Sequence, residues 1–305
     1  MNRRERGSQP ISQGMVVAAR RAFGETVDPG GHVPRGATES SLDALMAWCW
    51  SEGVGSTVAA IVAPPGIGKT HLLRVLESRL LREDEARGLE ESPERGRERG
   101  RVRGTQRVLY VPYAAVSLPD LCVWVHGLLG EKYPRVSSAS NADADAMKAL
   151  GDLAGGSGRP FRLLIDDADS MPSETLRALL QGLARERSPL RLVLALSDDS
   201  RATRMLASLD SLRPLELPFR DPLDAAETET YLRARLTRGG LGAEILDGLD
   251  RVTVARIRAL SGGIPRRIHR VVMAMVEPER AALARALTMS SPTDAWLGQP
   301  IDDAF

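Results

Sequence analysis

Lysine is nearly absent from this chain. Only Lys69, Lys132 and Lys148 are lysines among its 41 basic residues, and the rest are arginines. Cysteine is limited to Cys49 and Cys122. Their separation suits neither a thiolate metal site nor a redox pair, so both read as small buried residues of a reducing compartment. The four histidines, His32, His71, His126 and His269, are scattered, which argues against a zinc site. Aromatic residues make up 4%, too few for base stacking to be the main means of recognition. No uninterrupted apolar stretch approaches the roughly 20 residues that span a bilayer. The opening residues, Met1 to Arg6, have no apolar segment behind them, so neither an integral membrane segment nor a secretory signal is expected, and a cytoplasmic location is. A formal net charge of +1 leaves no global field drawing the chain toward nucleic acid or membrane. The length, 305 residues, suits one large α/β domain and a small accessory domain.

Against this background one stretch stands out, Ala63 to Thr70 (APPGIGKT). It follows an apolar run, Val58 to Val62, and precedes a helical pattern, His71 to Leu80. A strand, a Gly/Pro turn and a helix opening on Lys-Thr form a phosphate cradle. The turn aims backbone N–H groups inward, and the helix N-terminus adds partial positive charge. The expected nucleotide-binding residues are Pro65, Gly66, Ile67, Gly68, Lys69, Thr70 and His71. Lys69 is expected to reach the β- and γ-phosphates, and the Thr70 hydroxyl to ligate Mg²⁺. The first glycine of the usual G-x-x-x-x-G-K-[ST] pattern is Ala63 here, at a strand end where a methyl group is tolerable. In a chain so biased to arginine, a lysine stands where a compact, mobile ammonium is needed; a forked guanidinium fits such a cradle poorly.

A second motif is Leu163 to Asp169 (LLIDDAD). An apolar strand ending in acidic residues puts carboxylates at the carboxyl edge of the sheet, where ligands sit in open α/β folds. Asp166 is the expected Mg²⁺ carboxylate, and Asp167 the residue that orients or deprotonates an attacking water.

The rest of the pattern alternates strand and helix. Strands are expected at Val58–Val62, Arg107–Val111, Phe161–Ile165, Arg191–Leu196 and Leu215–Pro218, which implies a parallel five-stranded sheet flanked by helices. Residues 1–40, rich in Gly, Pro and Arg, read as an extended N-terminal arm, and a helix is expected from Ser41. The α/β domain is expected over 41–220. Within it, 82–106 is dense in Arg and Glu and reads as a mobile charged insertion. From 221 to 290 only helical patterns remain, implying a small all-α lid domain, and 291–305 is a polar tail.

These motifs, with the stretch Ser261 to His269 (SGGIPRRIH), resemble the AAA+ ATPases over roughly residues 40 to 277. The lid stretch is most similar to the ExeA-type ATPases of the general secretion pathway and the transposition ATPases of the MuB/TniB kind. The resemblance implies ATP and Mg²⁺ as cofactors, ATP hydrolysis, a homo-oligomer, and a protein or DNA partner. It implies that Arg266 acts as the lid arginine that touches the γ-phosphate. It implies that Ser197, with Asp198, occupies the polar sensor position at the end of a core strand. Arg213, with Arg201 and Arg204 as competitors, occupies the arginine-finger position. The family usually carries Glu where this chain has Asp167; the shortfall in reach is roughly 1 Å, and displacements of that size cost catalysis on the order of 10²-fold. Three readings stay open: an ATP-hydrolysing motor or switch that remodels or recruits a partner, a DNA-binding transposition-type ATPase in which Arg95 to Arg103 contact duplex, and a nucleotide-gated interaction module with little hydrolysis.

Overall fold

The computed structural model describes residues 13–24, 28–51, 56–91, 107–130, 133, 141–155, 160–183, 190–241 and 249–277. They fall into two compact units, one within Val27–Asp221 and the other within Met1–Thr26 and Pro222–Phe305.

The first unit is built on five parallel strands: β1 (Val58–Ala63), β2 (Val108–Val111), β3 (Phe161–Ile165), β4 (Leu190–Ser197) and β5 (Leu215–Pro218). Their order across the sheet is β2-β3-β4-β1-β5. β1 is apolar without alternation, β3 is apolar except for Arg162, and both are buried at every position, as strands covered on both faces must be. β5, at an edge, alternates between half-buried and exposed. The crossovers carry α3 (Lys69–Glu91), α4 (Leu118–Leu129), α5 (Ala142–Gly155), α6 (Ser173–Leu183) and α7 (Ser200–Leu209), with α2 (Gly36–Trp50) preceding β1. α4 opens on Ser117, whose hydroxyl accepts the Asp120 N–H, as its sequence suggests. The chain leaves β1 for the far edge, works back through β3 and β4, and crosses to β5. The carboxyl end of β1 is therefore the switch point at which such sheets hold ligands.

Arginines tie the amino edge of this sheet to the ends of neighbouring helices. Arg162 on β3 is fully buried. It donates to the Cys49 carbonyl at 3.3 Å, lies 3.4 Å from the Asp84 carboxylate, and stacks over the Trp50 ring at 4.1 Å. Arg191 donates to the carbonyls of Ser51 and Ser56 and lies over Trp48, and Arg107 donates to the Leu153 carbonyl. The Cys49, Ser51 and Leu153 carbonyls lie in or just after the last turns of α2 and α5, where carbonyls have no intrahelical donor; Ser56 lies just before β1. A lysine cannot serve two acceptors while lying flat on an indole. Cys49 and Cys122 are buried free thiols whose pKa burial pushes up to about 12.

The segment before α2 departs from expectation. The described part of 1–40 is not extended: α1 (Gln13–Phe23) is a helix, Pro29–Gly31 is a 3-10 turn capped by Asp28, and α2 begins at Gly36, not Ser41. Flanking glycines and prolines mask the helical spacing of Ala19, Ala22 and Phe23 in the sequence. His32 ties the segment down. Its Nε2 lies 2.7 Å from Glu39 and its Nδ1 lies 3.3 Å from Nε2 of His71 on α3, while Arg79 donates to the other Glu39 oxygen. Burial raises the Glu39 pKa, but hydrogen bonds from His32 and Arg79 outweigh it and hold the carboxyl below its ordinary range. α3 also runs farther than expected, to Glu91, ten residues into the segment read as a mobile insertion. An Arg87–Glu83 pair one turn apart and the reach of Asp84 to Arg162 extend it. The remainder of that insertion, 92–106 with Arg95 to Arg103, lies outside the described residues.

The second unit packs α1 with α8 (Ala225–Arg238), α9 (Arg251–Ser261) and α10 (Pro265–Val276) around a core that includes Phe23, Leu232, Ile257 and Ile268. α8 opens on a capping box between Asp224 and Glu227. Tyr231 and Nε2 of His269 share a 2.6 Å hydrogen bond, and Phe23 meets the His269 ring edge-on. Of the helical patterns expected over 221–290, residues 242–248 and 278–290 lie outside the described residues, as does the tail 291–305. No described helix is long and apolar enough to cross a membrane.

Two outcomes follow for stability. Gly263 has φ +74°, and a Cβ there would stand 2.2 Å from the Leu223 carbonyl oxygen, whereas at Gly262 (φ +61°) it would meet only Arg267 at 4.0 Å. Gly263→Ala is expected to destabilise the helical unit by about 3 kcal/mol and Gly262→Ala by about 1 kcal/mol, read as urea midpoints. Because the Glu39 pKa lies below its ordinary 4.5 in the folded chain, its contribution is complete above that pH and is lost as pH falls through the folded value. Glu39→Gln should therefore flatten the decline of melting temperature below pH 4.5 relative to wild type.

Candidate functional site

β1 delivers the chain to its carboxyl rim at Ala63, which is fully buried and paired with Ser197 of β4. The methyl group that replaces the usual glycine hydrogen is thus part of the sheet core. Pro65 is exposed at the tip of the turn, and Ile67 is buried and anchors it. Gly66 and Gly68 have φ of 82° and 118°, which glycine adopts without a Cβ penalty. At Gly68 an added Cβ meets nothing within 4 Å, so the constraint there is the dihedral. α3 then opens at Lys69, and its first helical bond runs from the Leu72 N–H to the Gly68 carbonyl at 2.9 Å. The first-turn N–H groups of a helix have no intrahelical acceptor, and with the macrodipole they favour an anion. Lys69 is only 7% exposed, its ammonium donating to the carbonyls of Ala63 at 2.8 Å and Pro64 at 3.3 Å. Thr70 and His71 are half-buried on the first turn.

The acidic strand end sits on the same rim. β3 and β1 both pair with β4, in parallel. At a strand spacing of about 4.8 Å, the two backbones lie about 10 Å apart. Asp166 is 3% exposed, and its main-chain N–H donates to the Val111 carbonyl. One carboxylate oxygen accepts the Asp167 N–H at 3.0 Å, and the other accepts the Tyr110 hydroxyl at 2.9 Å. Burial, then the Asp166 charge, raises the Tyr110 pKa, so that hydroxyl stays a donor. Asp167 is exposed and left-handed, with φ 45° and ψ 41°, and it begins the short turn Ala168–Ser170. Asp and Asn are the non-glycine residues that visit this region most readily. Asp169 accepts the Ser197 N–H at 3.4 Å, linking the acidic turn to the end of β4.

Pro65 to His71, Asp166, Asp167 and Ser197 therefore gather at one rim. Asp198, next to Ser197, forms an ion pair with Arg220 at 3.1 Å. Arg213 does not join them. It precedes β5, whose Leu215 is level with Ala59, so it lies toward the amino ends of the strands. It is exposed and left-handed, with φ 47°. Arg201 and Arg204 are exposed on α7. Arg266 is exposed on the first turn of α10, in the helical unit. Sequence reasoning missed Tyr110, which reads simply as one residue of an apolar strand, and also His32 and Glu39. Among the described residues no group of three or more His, Cys, Asp or Glu side chains could hold a metal by itself. The Thr70 hydroxyl and the Asp166 carboxylate are oxygen donors on this rim that could hold a magnesium ion only together with phosphate and water oxygens.

Residues 54–204 match the family model described as an AAA domain. Among solved structures, the Aeropyrum pernix ORC2 protein in ADPNP–ADP complexes is similar with a TM-score of 0.55 at 20% identity, over 87% of this chain and 68% of that one. Cdc6p from Pyrobaculum aerophilum is similar at 0.56 and 16%, over 88% and 66%. The Aeropyrum pernix ORC1 protein in complex with DNA is similar at 0.54 and 18%, over 92% and 74%. No curated protein matches the chain. At such identities the likeness is one of fold. The sheet order, the cradle at the end of β1 and the acidic end of β3 are those of the P-loop AAA+ fold, and residues 54–204 are similar to an AAA domain.

Proposed function

We propose that this chain binds and hydrolyses ATP with magnesium, and that nucleotide state governs its self-association and its engagement of a protein or DNA partner. The observation that carries the reading is the convergence of the Gly66–Thr70 cradle and the Asp166 carboxylate on one rim of a parallel sheet. The residues present suit the cofactors. The cradle glycines have dihedrals that let the main chain wrap an anion. Lys69 supplies a compact charge beside the loop. Asp166 uses one lone pair on each oxygen for protein hydrogen bonds, and a carboxylate has about four such sites, so acceptor capacity remains for a hydrated cation.

In this reading Pro65 to His71 hold the phosphates, with the main chain of Gly66 to Lys69 donating and Lys69 neutralising the β- and γ-oxygens. Thr70 and Asp166 hold the metal, which when bound neutralises charge on the transferring phosphoryl group. Asp167 orients the attacking water, and Ser197 supplies a polar contact at the end of β4. Arg213, away from the cradle of its own subunit, completes the site of a neighbouring copy. Arg266 reports the γ-phosphate to the helical unit. The similarity of Ser261 to His269 to ExeA-type and MuB/TniB-type ATPases, and the fold likeness to the ORC1 protein solved in complex with DNA, support a partner-engaging role, with Arg95 to Arg103 as the DNA contact. The short side chain of Asp167 supports slow turnover.

Nucleotide binding and steady-state hydrolysis, each with and without duplex DNA, test the reading. Wild type is expected to bind ATP in the presence of Mg²⁺, and Lys69→Ala to lose that affinity by on the order of 10²-fold or more while melting normally. Asp167→Glu is expected to raise turnover by about tenfold or more, at a conformational cost of about 1 kcal/mol for placing Glu in the left-handed region. A wild-type chain without measurable ATP affinity overturns the reading. Unchanged or lower turnover in folded Asp167→Glu overturns the role given to Asp167.

A further inference from the structure

The magnesium-holding carboxylate does not stand alone: a tyrosine from the neighbouring strand holds it, and the cradle helix holds that tyrosine. Tyr110 lies on β2, paired with Leu164 of β3 at an edge of the sheet. Its hydroxyl donates to the Asp166 oxygen that the Asp167 N–H does not reach. An aspartate's terminal torsion is broad and roughly two-fold. One donor on each oxygen removes that freedom and fixes the plane of the carboxylate.

Tyr110 is in turn fixed at two other points, both from α3. The Arg74 guanidinium lies 4.6 Å from the centre of its ring. Glu77 accepts the Tyr110 main-chain N–H and also binds Arg74 at 2.7 Å. An edge strand has N–H groups with no strand partner, and here a side chain of the cradle helix takes one of them. Burial raises the pKa of Glu77 while Arg74 and the Tyr110 N–H oppose the rise. Tyr110, Arg74 and Glu77 form one packed cluster, with Arg74 and Glu77 five and eight residues beyond Lys69 on the same helix.

We propose that Tyr110 is a positioning residue for the metal carboxylate, and that Arg74 and Glu77 set it in place. The helix that begins at the phosphate cradle thereby also fixes the angle at which Asp166 presents its free lone pairs. The inference rests on the nucleotide reading above and adds to it a residue, Tyr110, that belongs to neither signature motif. Partners that orient a metal ligand typically change metal affinity by about 10–100-fold when removed, and Tyr110 stands in that relation to Asp166.

The test is the magnesium dependence of nucleotide binding, followed with a fluorescent ATP analogue on the full chain. Wild type is titrated in excess chelator and then across magnesium concentrations, beside Tyr110→Phe, which keeps the ring and loses the hydroxyl. The magnesium concentration for half-maximal metal-dependent binding is expected to rise about tenfold or more in Tyr110→Phe, with metal-free affinity unchanged. Arg74→Gln leaves the hydroxyl in place but removes the cover of the ring, and a smaller shift in the same direction is expected. It also serves if Tyr110→Phe does not fold. An unchanged magnesium midpoint in folded Tyr110→Phe, or in folded Arg74→Gln if the first variant fails to fold, overturns the inference. So does a loss of metal-free affinity equal to the metal-dependent loss, because Tyr110 would then merely support the fold. If wild type itself binds no nucleotide, the parent reading fails and this inference falls with it.

Discussion

Six residue pairs join β1 to β4 in parallel, from Val58 opposite Leu192 to Ala63 opposite Ser197. A one-residue slip in that register would turn every side chain of β1 to the other face of the sheet. It would also carry the Pro64–Gly68 turn out of step with the end of β4 and, through β4, with the end of β3. Both faces of these strands are buried by helices, so the register is held by side-chain packing above and below the sheet as well as by the hydrogen-bond ladder. The site inherits its geometry from this arrangement: a helix N-terminus and a carboxylate that are 97 positions apart in sequence, from Lys69 to Asp166, come to one rim because parallel strands end on the same side.

The opposite rim uses another part of the composition. Arg107, Arg162 and Arg191 begin or nearly begin three neighbouring strands and turn to the carbonyl ends of helices. Burying a guanidinium is costly unless its donors find acceptors, and helix C-termini offer several carbonyls together. Indole faces at Trp48 and Trp50 cover the planar groups. Arginine therefore has a structural use here that lysine could not fill, while Lys69 sits at the rim where a small ammonium is wanted. The scarcity of lysine and its presence in the cradle have the same explanation, the different shapes of the two cations.

Where sequence alone succeeded, the signal was local and periodic. β1 is an apolar run, β3 and β4 are apolar beyond Arg162 and Arg191, and the cradle and the acidic strand end are short motifs with fixed spacing. The misreadings have long-range causes. α1 was obscured because its apolar face is short and gains its stability from residues more than 200 positions away, such as Leu232 and Ile268; tertiary packing supplies what local propensity does not. α3 extends into a charged stretch because Asp84 meets Arg162 across the fold, a partnership that spacing within the helix cannot reveal. Tyr110 was invisible for the same reason, since its role depends on which strand lies next to β3 and which helix packs at the edge.

Asp167 shows how local backbone and chemistry meet at this site. The carboxylate of Asp166 accepts the N–H of Asp167, and the chain turns directly afterwards into a 3-10 segment through a left-handed residue. An Asp tolerates that conformation better than a longer side chain, because its short polar group can bond locally. The same brevity limits how far its carboxylate extends toward a water. The conformation that lets the chain double back after β3 and the short residue that adopts it therefore agree with one another, and under the proposed function this same residue would make turnover slow.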